Sequence, residues 1–519
     1  MVDGLNCNSG KDMFPMIWVR PEATQSKINV RSQAGSQFHE AIMTQPTSKD
    51  APNVQPIRGI AAVGLWLRMI RDPLKTMMGM QRRYGPVSAI GNITSLQGKE
   101  RKYVLALGPD LNRLVIGNPK LFRSTGQVIR GPKGSSQRRI RYGLVRMNGE
   151  KHRQQRELVM PPFHKQACES YCEDMVAIFD DTLNSFEINK PVDMHQLMHR
   201  ASLRVSSRIL FGRSDPTRSE ALGELVKRWL NQNLSMAVWG CPLNIPGTPY
   251  RRFLKMAEHM EEVILELIRD KRAEGTDGKR RDVLSILAHA HDERYGGMTD
   301  DDLLGQTAVL FTASYETTAN ALTWTIFLLS QHPQVMADVV DELDSLLAGA
   351  PPSIDQLSQM PMTEAIIKEG LRLFPPIPFT IRAATEPTEL GGFHLRSGDR
   401  VACSHYVTHH LPDVFANPNR FDPQRWFTIK PDPYEYLPFS AGPRLCIGYM
   451  FAMIEMKIAM AMFIQRFRPT MQPSAKVNRS ARVTLTPKQG IPMILHPPDR
   501  QYETVPVRGD VHDMVELPR

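Results

Sequence analysis

Cys446 stands in the run FSAGPRLCIG, Phe439–Gly448, among two glycines, a proline, an arginine and a phenylalanine. A long apolar pattern from Ile447 to Phe467 follows at once and predicts a helix. A sulfur at a helix N-terminus faces free N–H groups and about half a positive charge, which favours thiolate, the form that ligates metals. Gly442 and Gly448 lack Cβ, so their backbone can approach a flat ligand. Phe439 can shield the sulfur from water, and Arg444 can reach an anionic group on the ligand. A core cysteine in a tight turn is the competing account, and it explains only the glycines.

Three other runs place polar groups at helical spacing. EGLR puts Glu369 and Arg372 three apart. On a surface such a pair contributes only about 0.2–0.5 kcal/mol. Ile366, Ile367, Leu371 and Leu373 surround it, so the pair is half buried and needs further partners. ASYETT, Ala313–Thr318, puts two threonines and Glu316 inside an apolar helix, either as a buried structural cluster or as an acid–alcohol pair. HRQQR puts His152 and Arg156 on one helix face.

The pattern Phe439-x-x-Gly442-x-Arg444-x-Cys446-x-Gly448 matches at every position the haem-ligand signature of the cytochrome P-450 family, the haem-thiolate monooxygenases. The resemblance runs from about Tyr84 to Pro497, with four motifs in the family's order. It implies a mainly α fold with small β-sheets, the cytochrome P-450 fold, in a single large domain. It implies heme b (iron protoporphyrin IX) with Cys446 as metal ligand, and Phe439, Gly442, Arg444, Gly448 and Ala313 around the haem. His152, Arg156 and Arg382 resemble the family's propionate contacts. Glu316 and Thr317 resemble the acid and alcohol that guide protons beside dioxygen. Ser314 departs from the pattern, which usually has Gly there; its hydroxyl can bond back to the carbonyl four residues earlier. Glu369 and Arg372, with Arg425 of FDPQRW, resemble a structural triad.

The reaction so implied inserts one oxygen atom of dioxygen into a lipophilic small molecule and releases the other as water. Electrons come ultimately from NAD(P)H through a ferredoxin or flavoprotein reductase, since no G-x-G-x-x-G fingerprint occurs and the stretch after Cys446 is too short for a flavin domain. A haem-thiolate isomerase or peroxygenase, and a non-catalytic haem sensor, stand as alternatives. The family positions that line the substrate cavity map to Ser124–Arg130, Ser235–Val238, Phe311–Ser314, Ile377–Ile381 and Leu485, mostly apolar.

The elements that must hold these residues are legible in outline. The chain has 519 residues, 41% apolar and 23% charged, which fits a globular body. Residues 1–55 read as a disordered leader, 56–500 as the catalytic domain and 501–519 as a C-terminal tail. Helical periodicity dominates from about Lys151 to Leu347. One helix is predicted over about Asp300–Gln331, capped by Thr299, and another over about Thr363–Phe374. Val87–Ile90 and Tyr103–Leu107 read as paired strands, and Gly391–Val401 as a strand, a glycine turn and a strand.

Six scattered cysteines argue for a reducing compartment rather than a disulfide framework. No run approaches the about 20 apolar residues of a membrane span, so a soluble, cytoplasmic protein with room for peripheral membrane contact is expected. Net charge is +10, and nine Lys/Arg face one acid, Glu150, between Arg130 and Arg156. Without aromatic interleaving this is no nucleic-acid patch; it suits acidic electron-transfer partners.

Overall fold

The computed structural model describes residues 56–518 apart from 95–99, 126–128, 130, 213–215, 234, 236, 239–241 and 274–281. The expected leader, residues 1–55, lies outside the described residues. The helices that bear on the site are α1 (Gly59–Arg71), α2 (Pro73–Tyr84), α3 (Ser136–Ile140), α4 (Gly149–Val159), α5 (Met194–Phe211), α6 (Pro249–Ala273), α7 (Asp300–Ser330), α8 (Pro361–Leu373) and α9 (Tyr449–Arg466). The strands are β1 (Val87–Thr94), β2 (Glu100–Ala106), β3 (Phe122–Ser124), β4 (Phe379–Ala384), β5 (Thr388–Leu390), β6 (Phe393–Leu395), β7 (Arg400–Ser404), β8 (Arg479–Ala481) and β9 (Leu485–Pro487). The fold is mainly α with small sheets.

α7 is the axis of the molecule. Thr299 caps it by accepting from Asp302 N at 3.1 Å, as the sequence predicts. Its 31 residues span about 46 Å. Burial runs around nearly its whole circumference, so its neighbours are helices rather than water. α5 packs along it, Phe211 against Phe311 at 5.1 Å and His199 edge-on to Tyr315 at 5.0 Å. α8 packs on its C-terminal half. A Cβ at Gly370 would lie 2.4 Å from Thr325 Oγ1, so the glycine of EGLR is what lets these two helices touch. Trp324 then stacks on Phe374 at 4.4 Å.

The main sheet has the order β1-β2-β7-β4-β3, with β2 and β7 parallel and the other pairs antiparallel. The β1–β2 pair was legible, and so were the strand, glycine turn and strand of Gly391–Val401, although those two strands do not pair with each other. β6 pairs back with β5 across Gly391-Gly392, whose φ values of 54° and 80° suit a tight turn. β7 leaves for the main sheet instead, because Asp399 accepts from Lys102 N at 2.9 Å and from Arg396 N at 2.8 Å and so redirects the chain. Residues 55–519 are one unit. Val511, Met514 and Val515 are buried, and Arg479 holds Asp510, so the described part of 501–519 packs on the body.

Candidate haem-thiolate site

The loop that presents Cys446 is closed on itself, with Cys446 N donating to Phe439 O at 2.8 Å. Gly442 has φ 61°, where a side chain is strained, and its Cβ would meet the Tyr434 hydroxyl at 3.1 Å. Its glycine is therefore required by the backbone conformation. The open side belongs to Gly448, where a Cβ would meet nothing within 4 Å. Gly448 caps α9, which begins two residues later than its apolar pattern suggests. Phe439 packs edge-on against Tyr449 at 4.8 Å.

Cys446 is exposed by surface area, yet its sulfur lies deep among protein atoms; depth governs the cost of charging it. Burial pushes the thiol up, and the Gly448 N–H and Arg156 only partly offset it. The helix end alone does not hold a thiolate, contrary to the simple reading of the sequence. A cation bound to the sulfur would supply the missing charge.

Cations gather around this thiol. His152, buried on α4, is pulled down to about 4 by burial and then by Arg444 and Arg156. Arg444 is pulled down to about 10 by burial and then by Arg382 and Arg156. Arg382, on β4, is also buried, and burial lowers it too. Neither Arg156 nor Arg382 has a side-chain hydrogen bond or ion pair among the described residues. Buried guanidinium groups cost several kcal/mol unless paired, on the order of the penalty for any buried ion. The site thus fits a ligand that brings a metal to the sulfur and carboxylates to the arginines.

Arg444 makes bonds that the sequence reading did not show. Its Nη atoms donate to Leu144 O at 3.3 Å, Met147 O at 2.6 Å and Asn148 Oδ1 at 2.9 Å. It ties the cysteine loop to the segment before α4. That segment is in turn pressed on α7. A Cβ at Gly143 would lie 2.4 Å from Gly305 O, and Gln306 Oε1 accepts from Leu144 N at 3.0 Å. Gln306 Nε2 also reaches Gln155 at 3.0 Å. The cysteine loop, α4 and α7 are thereby held in one arrangement.

On α7, Ala313 is exposed and Thr312, Ser314, Glu316 and Thr317 beside it are half-buried, although most of the helix is buried. This marks where the helix borders open space. Thr317 Oγ1 donates to Ala313 O at 2.7 Å. Glu316 turns instead to Thr484, whose Oγ1 donates to Oε1 at 2.7 Å. Burial raises the Glu316 carboxyl, and Thr484 partly offsets this. Ser314 Oγ bonds to Phe311 O at 3.1 Å, three residues back rather than four.

The remote triad is complete. Arg372 donates to both Glu369 oxygens, from Nε at 2.9 Å and Nη2 at 2.8 Å, and Arg425 Nε reaches Oε1 at 3.0 Å. Trp426 Nε1 adds a bond to Oε2 at 3.0 Å, which the sequence reading missed. Arg372 also holds the carbonyls of His409, Pro418 and Arg420, so the buried charge organises the loop that leads to Cys446.

The expected cavity positions divide. Thr125 Oγ1 donates to Ile381 O at 3.3 Å, joining two of the segments, and Ile377 and Ile381 are half-buried. Phe311 and Leu485 are fully buried in helix and sheet packing rather than facing open space. Gly126–Val128, Arg130 and Met236 fall outside the described residues. Missed altogether were Gln306, Asn148 and Thr484; each is a lone polar residue whose partner is remote in sequence.

The chain matches the family model described as Cytochrome P450 over residues 54–494. It is 31% identical over 460 residues to cyclooctatin synthase of Streptomyces melanosporofaciens, covering 86% of this chain and 97% of that one. It is 32% identical over 435 residues to cyclooctat-9-en-7-ol 5-monooxygenase of the same organism, covering 81% and 89%. Pentalenene oxygenase of Streptomyces avermitilis is 28% identical over 443 residues, covering 84% and 94%. Among solved structures, a retinoic-acid-bound cyanobacterial P450 superposes with a TM-score of 0.73 at 24% identity, covering 83% of this chain and 96% of that one.

Proposed function

The chain belongs to the cytochrome P450 family and is one of its haem-dependent monooxygenases, and on that premise we propose that Cys446 is the iron ligand of heme b and that the substrate is a lipophilic, cyclic, unsaturated small molecule. One observation carries the site assignment: Arg156 is near enough to the Cys446 thiol to act on its charge, Arg382 and Arg156 act likewise on Arg444, and no carboxylate compensates Arg156 or Arg382 among the described residues. When bound, the haem supplies dioxygen activation and insertion of one oxygen atom into a C–H or C=C bond. Arg156 and Arg382 hold its carboxylates as charge-assisted bonds. His152, neutral in its buried place, donates or accepts a hydrogen bond there. Arg444 keeps the cysteine loop in register with α4. Thr317 presents a hydroxyl at Ala313, and Glu316, whose carboxyl burial raises, offers a proton-carrying group one residue away.

The substrate class rests on the apolar character of the segments mapped to the cavity and on the names of the relatives, which describe cyclic alkenes and alkenols. Purified protein should be coloured, and its reduced carbon monoxide adduct should show thiolate-type optics. Cys446→His should convert these to imidazole-type optics. Colourless protein after haem-replete expression overturns the assignment. Difference spectra with cyclic terpenes, steroids and fatty acids then rank the substrates by displacement of water from iron. Turnover that requires dioxygen and a reductant separates monooxygenation from isomerase, peroxygenase and sensor roles.

Electrons are proposed to come from NAD(P)H through a ferredoxin or flavoprotein docking on the basic side. Arg139 is committed to Glu261 there, and Arg153 to Glu150 and Glu157. Arg138 and Lys133 carry no ion pair among the described residues and are the better docking candidates. Reversing Arg138 should slow reduction most at low salt; reduction rates that stay the same at every salt concentration remove this docking face.

A further inference from the structure

α1 has two apolar faces, and the protein uses one. Leu65 and Met69 are buried against the body. Ile60, Val63, Leu67 and Ile70 are 92%, 60%, 64% and 62% exposed. At about 100° per residue these four fall within about 80° of one another on the helix, and Arg71 and Arg68 border them on one side. Single exposed aliphatics need no explanation, but four on one helix face form a patch. Beside it an apolar hollow of about 750 Å³ is walled by Arg58, Ile60, Ala62, Val63, Trp66 and Gly91, so the apolar surface continues toward β1.

The charge around the patch is of one sign. From Arg58 to Tyr84 stand Arg58, Arg68, Arg71, Lys75, Arg82 and Arg83 against a single acid, Asp72. That acid is already engaged, accepting from Lys75 N at 3.1 Å and pairing with Arg479 at 2.8 Å. Arg58, Arg68 and Arg71 have no ion pair among the described residues. A second copy of this face would set cation against cation. Residues 1–54 hold five Lys/Arg and five Asp/Glu, so they offer no net negative charge to cover it. A surface that is apolar beneath and anionic above fits both features.

We propose that this face of α1 seats the protein on an anionic phospholipid surface. Ile60, Val63, Leu67 and Ile70 enter the acyl boundary while Arg68 and Arg71 meet headgroup phosphates. The helix lies in the plane of the interface; no helix among the described residues is long and apolar enough to cross a membrane. The seat is independent of the haem assignment and of the substrate, and it would bring the enzyme to where lipophilic molecules partition.

The test is vesicle flotation of the full-length haem-loaded protein. Vesicles of phosphatidylcholine with about one-third phosphatidylglycerol should carry the protein up, and phosphatidylcholine alone should carry far less. Ile60→Gln/Leu67→Gln should weaken binding by about tenfold or more, the loss expected from two apolar side chains. Arg68→Gln/Arg71→Gln should reduce binding to the anionic vesicles only. Unchanged carbon monoxide optics in all variants certify the fold. Full-length protein that stays in solution overturns the proposal; gel filtration then tells whether a second copy covers the face. Binding that survives both double substitutions also overturns it, placing the lipid contact elsewhere.

Discussion

Thr484 Oγ1 donates to Glu316 Oε1 at 2.7 Å and so joins the middle of α7 to the turn between β8 and β9. Glu316 and Thr317 are neighbours in sequence, but the two point to different partners. The hydroxyl of Thr317 goes to Ala313 O, and the carboxyl of Glu316 goes to a loop far along the chain. The Glu316 carboxyl is raised by burial, and the Thr484 bond holds it down. Removing that bond in Thr484→Val should raise it further, because the hydrogen bond favours the charged form. As a proton donor Glu316 works in its acid form, so the alkaline limb of the turnover–pH profile should move to higher pH. A profile identical to the parent's shows that Glu316 does not limit proton delivery.

Thr317 tests the other half of the pair. Thr317→Ala should lower product formation by about 100-fold, the low end of general-acid effects, while reductant consumption continues and peroxide accumulates. Thr317→Ser, which keeps the hydroxyl, should restore most of the coupling. Equal product-to-reductant ratios in all three proteins rule out a proton-handling role for this hydroxyl.

The Glu369 cluster is predicted to matter for folding and not for chemistry. All of Glu369 and Arg372 is buried, so Glu369→Ala leaves two guanidiniums and an indole N–H without their acceptor. Breaking such a buried network costs on the order of 3–5 kcal/mol. The expected result is little or no haem-loaded protein, read as the yield of the thiolate-type carbon monoxide adduct. Normal yield and melting temperature would falsify the assignment of this cluster as the anchor of the cysteine loop.

Glu455 is predicted to give the protein a specific pH sensitivity. It sits fully buried on α9, with no hydrogen-bond partner for either oxygen among the described residues. Burial pushes its carboxyl up to about 8, and Ser202 of α5 is near enough to temper this without hydrogen-bond geometry. A carboxyl raised on folding favours the native state fully below its unfolded value, and that contribution is lost as pH climbs through about 8. The loss is on the order of 4 kcal/mol. Melting temperature should therefore fall between pH 5 and pH 9, and Glu455→Gln, which cannot ionise, should flatten the fall. Parallel curves for parent and variant show that another group is responsible.

The sequence by itself determined the reaction class, the cysteine loop, the capped central helix and the Glu369–Arg372–Arg425 cluster. Each is written in residues close together or in a spacing that only one helix face satisfies, such as Glu369 and Arg372 three apart or Phe439 through Gly448 in one run. Only the tertiary structure decided what Gly442, Arg444 and Glu316 do. Gly442 answers to its own backbone angle and to Tyr434. Arg444 is tied to the carbonyls before α4, whereas Arg156 and Arg382 have no side-chain partner among the described residues. Glu316 faces Thr484 and not its neighbour. The same holds for β7, which passes over the nearby β6 for the main sheet because Asp399 meets Lys102. In each case the deciding partner is remote in the chain, and a hydrogen bond or charge is settled by what folding brings within about 3 Å, which no local spacing encodes.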